Sequence, residues 1–138
     1  MPSSAYSSTP LARKLGIKSG FHILLHAQPE HYFELFSDWP EGVEIMNEVK
    51  PESADFIHLF CLSQEELTQH LPTYQSALKK NGSLWVSWPK GKSSIPTDLK
   101  RDWIREYILA AGLVDVKVAS VDEDWSGLKF VYRVEDRK

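Results

Sequence analysis

The last quarter of the chain shows the clearest alternation of hydrophobic and polar positions. Valines alternate with polar residues over 114–118, and large apolar residues stand at every second position over 128–134. Period-two alternation is typical of a half-buried strand. Two such strands joined by a tight turn form an antiparallel hairpin. The segment VDEDWSGLKF (Val121–Phe130) therefore predicts a C-terminal hairpin, whose turn carries three consecutive carboxylates.

Earlier in the chain the strand signals are continuous apolar runs instead of alternations. Continuous runs indicate strands that are buried on both faces, as in a parallel sheet. The run ADFIHLFCL is the strongest of them. The four predicted strands are Phe21–His26, a weaker Val43–Val49, Ala54–Leu62 and Ser83–Trp88.

Helix signals separate these strands. Thr97 is expected to cap the last helix, and a capping box begins the helix that starts at Ser63. Pro72 lies inside that helix and is expected to kink or divide it. The predicted helices run from Thr9-Pro10 to Gly16, from Pro29 or Glu30 to about Phe36, from Ser63 to Asn81-Gly82, and from about Asp98 to Ala111.

This order of elements predicts one α/β domain over residues 9–138, with residues 1–8 as a flexible N-terminus. Alternating strands and helices with short connections form a mostly parallel sheet with helices on both faces. A final antiparallel hairpin is characteristic of a Rossmann-like sheet of the methyltransferase type. The expected strand order is 2-1-3-4-6-5.

Ligands of such sheets bind beyond the carboxyl ends of the parallel strands. Strand 6 inserted beside strand 4 would bring the acidic turn (Asp122–Trp125) next to the loop Pro89–Thr97. Lysine charge, helix amides and an aromatic face at this edge favour an anionic or nucleotide-like small molecule. The alternative to a binding site is a structural contact, in which Lys90 forms an ion pair with Asp122 or Asp124 that only holds the two loops together. The candidate ligand-binding residues are Lys90, Thr97, Asp98, Asp122, Trp125 and Ser126.

Several familiar sites are not expected. The turn His26–Glu30 after strand 1 has no glycine, although a methyltransferase needs one there for close approach to its cofactor. The sequence around Lys92 does not match the P-loop pattern of phosphate-binding proteins. The histidines lack the spacing of a zinc site, and Cys61 has no second cysteine with which to form one. The residues therefore predict no cofactor and no metal, and they leave catalytic residues unknown.

Histidines and tryptophans were assigned from their places in the elements. His58 lies within the strongest strand and is expected to be a core residue with a hydrogen-bonded partner, while His31 is expected on a helix surface. Trp85 and Trp88 should face opposite sides of the sheet because their spacing is odd. Trp125 is expected to be partly exposed.

Composition and charge limit the compartment and the partners that can be expected. The net charge is −3 and the pI about 5.9, so no overall basic field favours nucleic acid. No apolar run approaches the roughly 20 residues that span a bilayer, and no secretory signal is recognised. A single cysteine excludes an internal disulfide and favours a reducing compartment. We expect a cytoplasmic protein that binds neither nucleic acid nor membrane.

Four motifs together resemble a widespread bacterial family of small uncharacterised proteins, a domain-of-unknown-function family. The resemblance covers nearly the whole chain after the first residues, with Ser8 in place of an expected glycine. It implies the methyltransferase-like fold and a cytoplasmic bacterial setting, and it transfers no activity. The motifs are TPLARKLGIK (Thr9–Lys18), WPK (Trp88–Lys90), TDL (Thr97–Leu99) and VDEDWSGLKF (Val121–Phe130).

Three functions follow as hypotheses. The first is a non-catalytic domain that binds a ligand or partner at the strand-end edge. The second is an enzyme that uses Lys90, Asp98 and Asp122 on a phosphorylated or anionic small molecule. The third is a protein-interaction module that forms a homodimer through the edge strand Val114–Val121 or through exposed tryptophans.

Overall fold

The computed structural model describes residues 9–137 and contains one six-stranded sheet. Its order is β2-β1-β3-β4-β6-β5. The first four strands in this order are parallel, and β6 is antiparallel to both β4 and β5. The predicted fold and strand order are confirmed. The strands are β1 His22–His26, β2 Glu44–Ile45, β3 Ala54–Phe60, β4 Leu78–Pro89, β5 Leu113–Ser120 and β6 Trp125–Tyr132.

Helices cover both faces of the sheet. Two separate clusters of buried residues result, one under α2 and α3 and the other under α1 and the first 3₁₀ helix. Trp88 belongs to the first cluster and Trp85 to the second, as their odd spacing predicts. The helices are α1 Leu11–Leu15, α2 Gln64–Ala77 and α3 Arg101–Ala110, with 3₁₀ helices at Tyr32–Leu35 and Val134–Asp136.

Two predicted helix signals act as expected. The Ser63 hydroxyl accepts a hydrogen bond from the Glu66 amide at 3.0 Å and caps α2. Gly16 ends α1 with a φ of 86°, a left-handed conformation that glycine adopts without strain. The predicted flexible residues 1–8 lie outside the described part of the chain. Across residues 9–137, no helix has both the length and the apolar character that crossing a membrane requires.

Two predicted elements are shorter than expected. The helix predicted from Pro29 or Glu30 to Phe36 is a single 3₁₀ segment, Tyr32–Leu35. One residue anchors it, since Tyr32 is fully buried while its neighbour Phe33 is 46% exposed. The strand predicted over Val43–Val49 pairs with β1 only at β2, because this edge of the sheet is largely exposed.

The boundary between α2 and β4 was also wrong. The helix ends at Ala77, and β4 runs through Asn81-Gly82, where the sequence predicts the end of the helix. Gly82 serves close packing instead, because a Cβ there would lie 2.9 Å from the Asp55 carbonyl oxygen of β3. Pro72 does not divide α2, which is one continuous helix with the proline on its exposed side.

The last helix begins at Arg101 and not at Asp98. Thr97 was expected to cap it, but its hydroxyl donates to the Leu62 carbonyl at 2.7 Å and accepts from the Leu99 amide at 3.0 Å. The Asp98 carboxylate accepts from the Gln64 amide at 2.8 Å. Both side chains thus fasten the loop to the start of α2, and the helix starts three residues later.

The alternation in β5 predicted the wrong buried face. Val116 and Val118 are each 54% exposed, whereas Leu113 and Ala119 are buried. The pairing of β5 with β6 shifts register between Asp115 and Lys117. This bulge breaks the period of two, and β5 is an edge strand whose middle no helix covers.

Candidate functional site

The pairing of β4 with β6 places the lysine loop and the acidic turn side by side, as the strand order predicts. Pro89 pairs with Trp125, and the Lys90 amide donates to the Asp124 carbonyl at 2.8 Å. The Ser93 hydroxyl donates to the Asp124 carboxylate at 2.9 Å. These contacts form one rim, although about thirty residues separate the two segments in sequence.

The acidic turn is ordered by its own first carboxylate. Asp122 Oδ1 accepts from the amides of Asp124 at 2.8 Å and Trp125 at 2.9 Å. Its other oxygen lies 2.9 Å from His31 Nε2. This hydrogen bond raises the pKa of His31 above its ordinary value. His31 was expected only on a helix surface, but this pair links the segment after β1 to the hairpin.

Lys90 does not form the ion pair with Asp122 or Asp124 that stood as the alternative to a binding role. Its ammonium donates to Ser120 Oγ at 2.7 Å, and the Lys14 ammonium donates to the carbonyl of the same serine at 2.9 Å. Burial and the nearby charges of Lys117 and Lys90 lower the pKa of Lys14. Neither Lys90 nor Lys14 is therefore directly paired with Asp122 or Asp124.

Trp125 is not the partly exposed residue that was expected. It is 8% exposed and packs edge-on against Phe60, with ring centres 5.0 Å apart. Ser126, the next residue of the strand, lies on the opposite face in a groove with Trp88 and Val118. The six candidate residues are therefore not lined up around one pocket.

The residues of the enzymatic alternative contact three separate partners. Lys90 binds Ser120, Asp98 binds the amide of Gln64, and Asp122 binds His31. Each contact is a hydrogen bond that holds one segment to another. The geometry gives these three residues no shared contact at which one substrate atom would meet them.

A cleft of about 650 Å³ lies within the loop that follows β4, and we call it the loop cleft. Its lining residues are Trp88, Pro89, Lys90, Gly91, Ser93, Ser94, Ile95, Pro96, Thr97, Leu99, Lys100 and Arg101. Trp88 and Leu99 form its apolar part, and both are largely buried. Lys90, Lys100 and Arg101 are the charged residues of its lining, which contains no carboxylate. Lys90 and Thr97 are the two candidate residues that line it.

The N-terminus of α3 meets the loop cleft. Lys100 occupies the N-cap position and makes no side-chain cap hydrogen bond. Helix N-termini carry partial positive charge on amides that have no partner within the helix. Asp102 in the first turn is exposed and lies 3.6 Å from Arg101 Nε. The sequence analysis missed Lys100 and Arg101 because it began the helix at Asp98, which placed both inside the helix.

A second group of polar residues lies at the carboxyl ends of β1 and β3. His26 Nε2 is 2.8 Å from Glu66 Oε2, and the ring of His70 is centred 4.4 Å from that of His26. Cys61 is fully buried beside them. Burial and the charge of Glu66 raise the pKa of Cys61 to about 12. The thiol is therefore protonated and a poor nucleophile at neutral pH.

His58 is a core residue with hydrogen-bonded partners, as predicted. Its Nδ1 lies 3.0 Å from the Tyr32 hydroxyl and its Nε2 lies 2.7 Å from Ser87 Oγ. All three residues are buried, and burial lowers the pKa of His58 to about 3. The ring is neutral and inaccessible, so this network stabilises the sheet and takes no part in a surface site.

Comparison with known sequences decides the family. A profile of a family described as a protein of unknown function, DUF3052, matches residues 39–134. The chain belongs to this family. The match includes the loop cleft and the acidic turn of this DUF3052 domain, and it confirms the resemblance found from the motifs. No curated protein matches the chain significantly.

Comparison with solved structures supports the same fold. A SAM-dependent methyltransferase from Aquifex aeolicus gives a TM-score of 0.62 at 13% identity, covering 87% of this chain and 86% of its own. A putative type 11 methyltransferase from Sulfolobus solfataricus gives 0.62 at 12%, covering 98% and 94%. A TehB-like SAM-dependent methyltransferase from Corynebacterium glutamicum gives 0.55 at 13%, covering 95% and 92%. Identities this low show that the DUF3052 domain shares the fold of these proteins, and no more.

Proposed function

We propose that this DUF3052 domain binds an anionic small molecule in the loop cleft without chemically changing it. The observation that carries the proposal is the charge of the lining: three cationic side chains and no carboxylate, around an apolar patch of Trp88 and Leu99. Ligand sites are typically concavities of about 300–1,000 Å³ with a few convergent polar groups. The volume of the loop cleft, about 650 Å³, lies within that range.

The positive charge around the loop cleft favours an anionic ligand over a neutral one. Lys90 directly follows β4, and Lys100 and Arg101 stand at the start of α3, so the three lining cations come from both ends of the loop. The uncapped amides of α3 add partial positive charge on the same side. The one carboxylate within the loop, that of Asp98, is directed at the Gln64 amide and is not part of the lining. The lining therefore carries cationic residues and no carboxylate-bearing residue, and the exposed Asp102 beside Arg101 lies outside it.

The cofactor of the structurally similar methyltransferases is not the proposed ligand. In the turn after β1, where such enzymes need glycine, this chain has His26 to Glu30. Ala27 holds a φ of 54° there, so a methyl group stands where glycine would leave space. His26 and Glu66 pair across the same edge at 2.8 Å. These features support a methyltransferase-like fold that serves another ligand.

Titration calorimetry with inorganic pyrophosphate tests the proposal. We expect sub-millimolar binding at low salt, which corresponds to more than about 4 kcal/mol of binding free energy. The double variant Lys100→Ala/Arg101→Ala should weaken it at least about tenfold, and added salt should weaken it further because the cations are exposed. Lys50→Ala, which removes an exposed lysine far along the chain, is the matched control and should not change the affinity.

Lys90→Ala separates a binding role from a structural one. Lys90 Nζ contacts the exposed Ser120, so its removal should weaken pyrophosphate binding with little change in melting temperature. A lower melting temperature with unchanged pyrophosphate affinity would show that Lys90 has only a structural role, holding its loop to Ser120. No pyrophosphate binding by the wild-type protein, or an equal loss in Lys50→Ala, would contradict the proposed function.

A second candidate is self-association through β5, and the exposure of its edge supports it. Val116 and Val118 are each 54% exposed on a strand that has a neighbour on one side only. Exposed apolar edges invite pairing with a second copy, although Lys117 and the bulge beside it oppose this. Sedimentation velocity should then show a dimer that Val118→Asp dissociates. A monomer at high protein concentration would rule this candidate out.

A further inference from the structure

Three possible metal ligands converge from three different elements at the carboxyl edge of the sheet. His26 is the last residue of β1, Cys61 directly follows β3, and Glu66 lies in the first turn of α2. One ligand atom of each lies within 4.8 Å of the other two. The sequence contains no metal-binding motif with this spacing, because the parallel pairing of β1 with β3 brings the three residues together.

The donor set has a definite chemical preference. A thiolate, an imidazole and a carboxylate are all ligands of zinc, at about 2.0–2.3 Å from the ion. Ligand atoms around a tetrahedral ion are therefore about 3–4 Å apart. Here the His26 and Glu66 atoms are 2.8 Å apart and all three atoms lie within 4.8 Å of one another, so small side-chain shifts reach that spacing. We propose that His26, Cys61 and Glu66 bind a divalent cation of the zinc class, with water in the fourth position. This site is independent of the proposed function, since none of its ligands lines the loop cleft.

The surroundings hold the ligands in place and leave a way in. The second oxygen of Glu66 accepts from the Leu62 amide at 2.9 Å, which orients the carboxylate as supporting hydrogen bonds do in metal sites. The rings of His70 and Tyr74 lie beside His26, with centres 4.4 and 5.6 Å away. The side chains of His26 and Glu66 are 15% and 26% exposed, so an ion can enter although Cys61 is buried.

A cation also changes the state of the buried thiol. Cys61 Sγ lies within 4.8 Å of a ligand atom of His26 and of the negative charge of the Glu66 carboxylate. A bound divalent cation offsets that charge and stabilises the thiolate, so binding releases the thiol proton to solvent. The S–H bond breaks and a metal–sulfur bond forms, with no change in oxidation state.

Cobalt and zinc titrations test the site on the full chain. Cobalt(II) should give the near-ultraviolet thiolate charge-transfer band in the wild-type protein, and Cys61→Ser should lack it. Zinc affinity measured by calorimetry should fall at least roughly 100-fold in His26→Ala and Glu66→Gln, since even supporting residues of metal sites are worth 10–100-fold. These two side chains are partly exposed, so their variants keep the test valid if Cys61→Ser fails to fold.

His22→Ala is the matched control. His22 stands at the other end of β1 and also lies near carboxylates, Glu44 at 3.9 Å and Asp55 at 3.7 Å, but no thiol accompanies it. Its removal should leave both the cobalt band and the zinc affinity unchanged. A wild-type protein without the cobalt band, unchanged zinc affinity in Glu66→Gln and His26→Ala, or an equal loss in His22→Ala would each overturn the proposal.

Discussion

The contact between His31 and Asp122 is the clearest case in which a residue's behaviour depends on the topology. The two residues are 91 positions apart, and the insertion of β6 beside β4 brings the hairpin turn within reach of the segment after β1. No local pattern could predict the pair, because His31 lies in a polar stretch that favours a surface assignment. Asp122, in contrast, was selected from the sequence, although for a different partner.

The His31–Asp122 pair predicts a measurable titration. The hydrogen bond that the His31 ring donates to the Asp122 carboxylate raises the pKa of His31 above its ordinary 6.5, and NMR titration of the ring should show this. The pair then stabilises the fold fully below pH 6.5 and loses that contribution as the pH rises through the raised pKa. Asp122→Asn should return the pKa towards 6.5. Asp124→Asn is the control, and an equally large drop there would contradict the assignment.

His58 predicts a pH dependence of opposite sign. Burial lowers its pKa to about 3, so between about pH 6.5 and pH 3 the unfolded chain binds a proton that the folded chain does not. Stability should therefore fall as the pH falls through this window, by about 1.4 kcal/mol per pH unit from this residue. In His58→Gln, the unfolding free energy measured by chemical denaturation should depend on pH less steeply by that amount.

A direct readout accompanies the denaturation series for His58. The ring resonances of His58 in the wild-type protein should not move between about pH 8 and about pH 5, because the neutral ring is held by Tyr32 and Ser87. A ring that titrates in this range, or equal slopes for the wild-type protein and His58→Gln, would contradict the buried neutral state.

At the scale of elements, strong buried strands were predicted well and their boundaries were not. The run Ala54–Phe60 is apolar on both faces and became β3. The start of β4 was missed because Asn81-Gly82 is a turn signal in isolation, and only the close approach of β3 explains the glycine. The start of α3 was missed because Thr97 and Asp98 bond to the Leu62–Gln64 segment, which is distant in sequence.

The packing of Gly82 against β3 predicts a contrast between two glycines. A Cβ at Gly82 would meet backbone oxygens of Asp55 and Ala54 at 2.9 and 3.1 Å, neither of which can rotate away. Gly82→Ala should lower the unfolding free energy by about 1–3 kcal/mol. Gly91→Ala, with nothing within 4 Å, should change it by less than about 0.5 kcal/mol. Equal effects in urea denaturation would show that the approach of the strands is looser than described.

The turn after β1 predicts how the domain responds to S-adenosylmethionine. Ala27 at a φ of 54° and the His26–Glu66 pair crowd the edge where a cofactor would approach the backbone. Calorimetric titration with S-adenosylmethionine should show no binding, while pyrophosphate binding in the same preparation serves as the positive control. A micromolar dissociation constant, equivalent to about −8 kcal/mol, would contradict this expectation.

At the scale of the whole molecule, the strand order was predictable because one local signal, the C-terminal hairpin, selects among the α/β sheets. The adjacency of the Lys90 loop and the acidic turn follows from that order, because β6 pairs with β4. The lining of the loop cleft was only half predictable. Lys100 and Arg101 depend on where α3 begins, and Trp125 faces a core that the sequence alone does not reveal.

The proposal that the loop cleft holds an anion is tested most directly by mapping the amide signals of the ¹⁵N-labelled protein during a pyrophosphate titration. Saturable shifts should cluster in the loop between Lys90 and Arg101 and at the first turn of α3, where the cationic lining and the uncapped amides meet. The segment Glu44–Lys50 at the opposite edge of the sheet should remain unchanged. Shifts scattered over all lysine-bearing surfaces, or centred on Lys14 and Lys117 instead of the loop, would contradict the account.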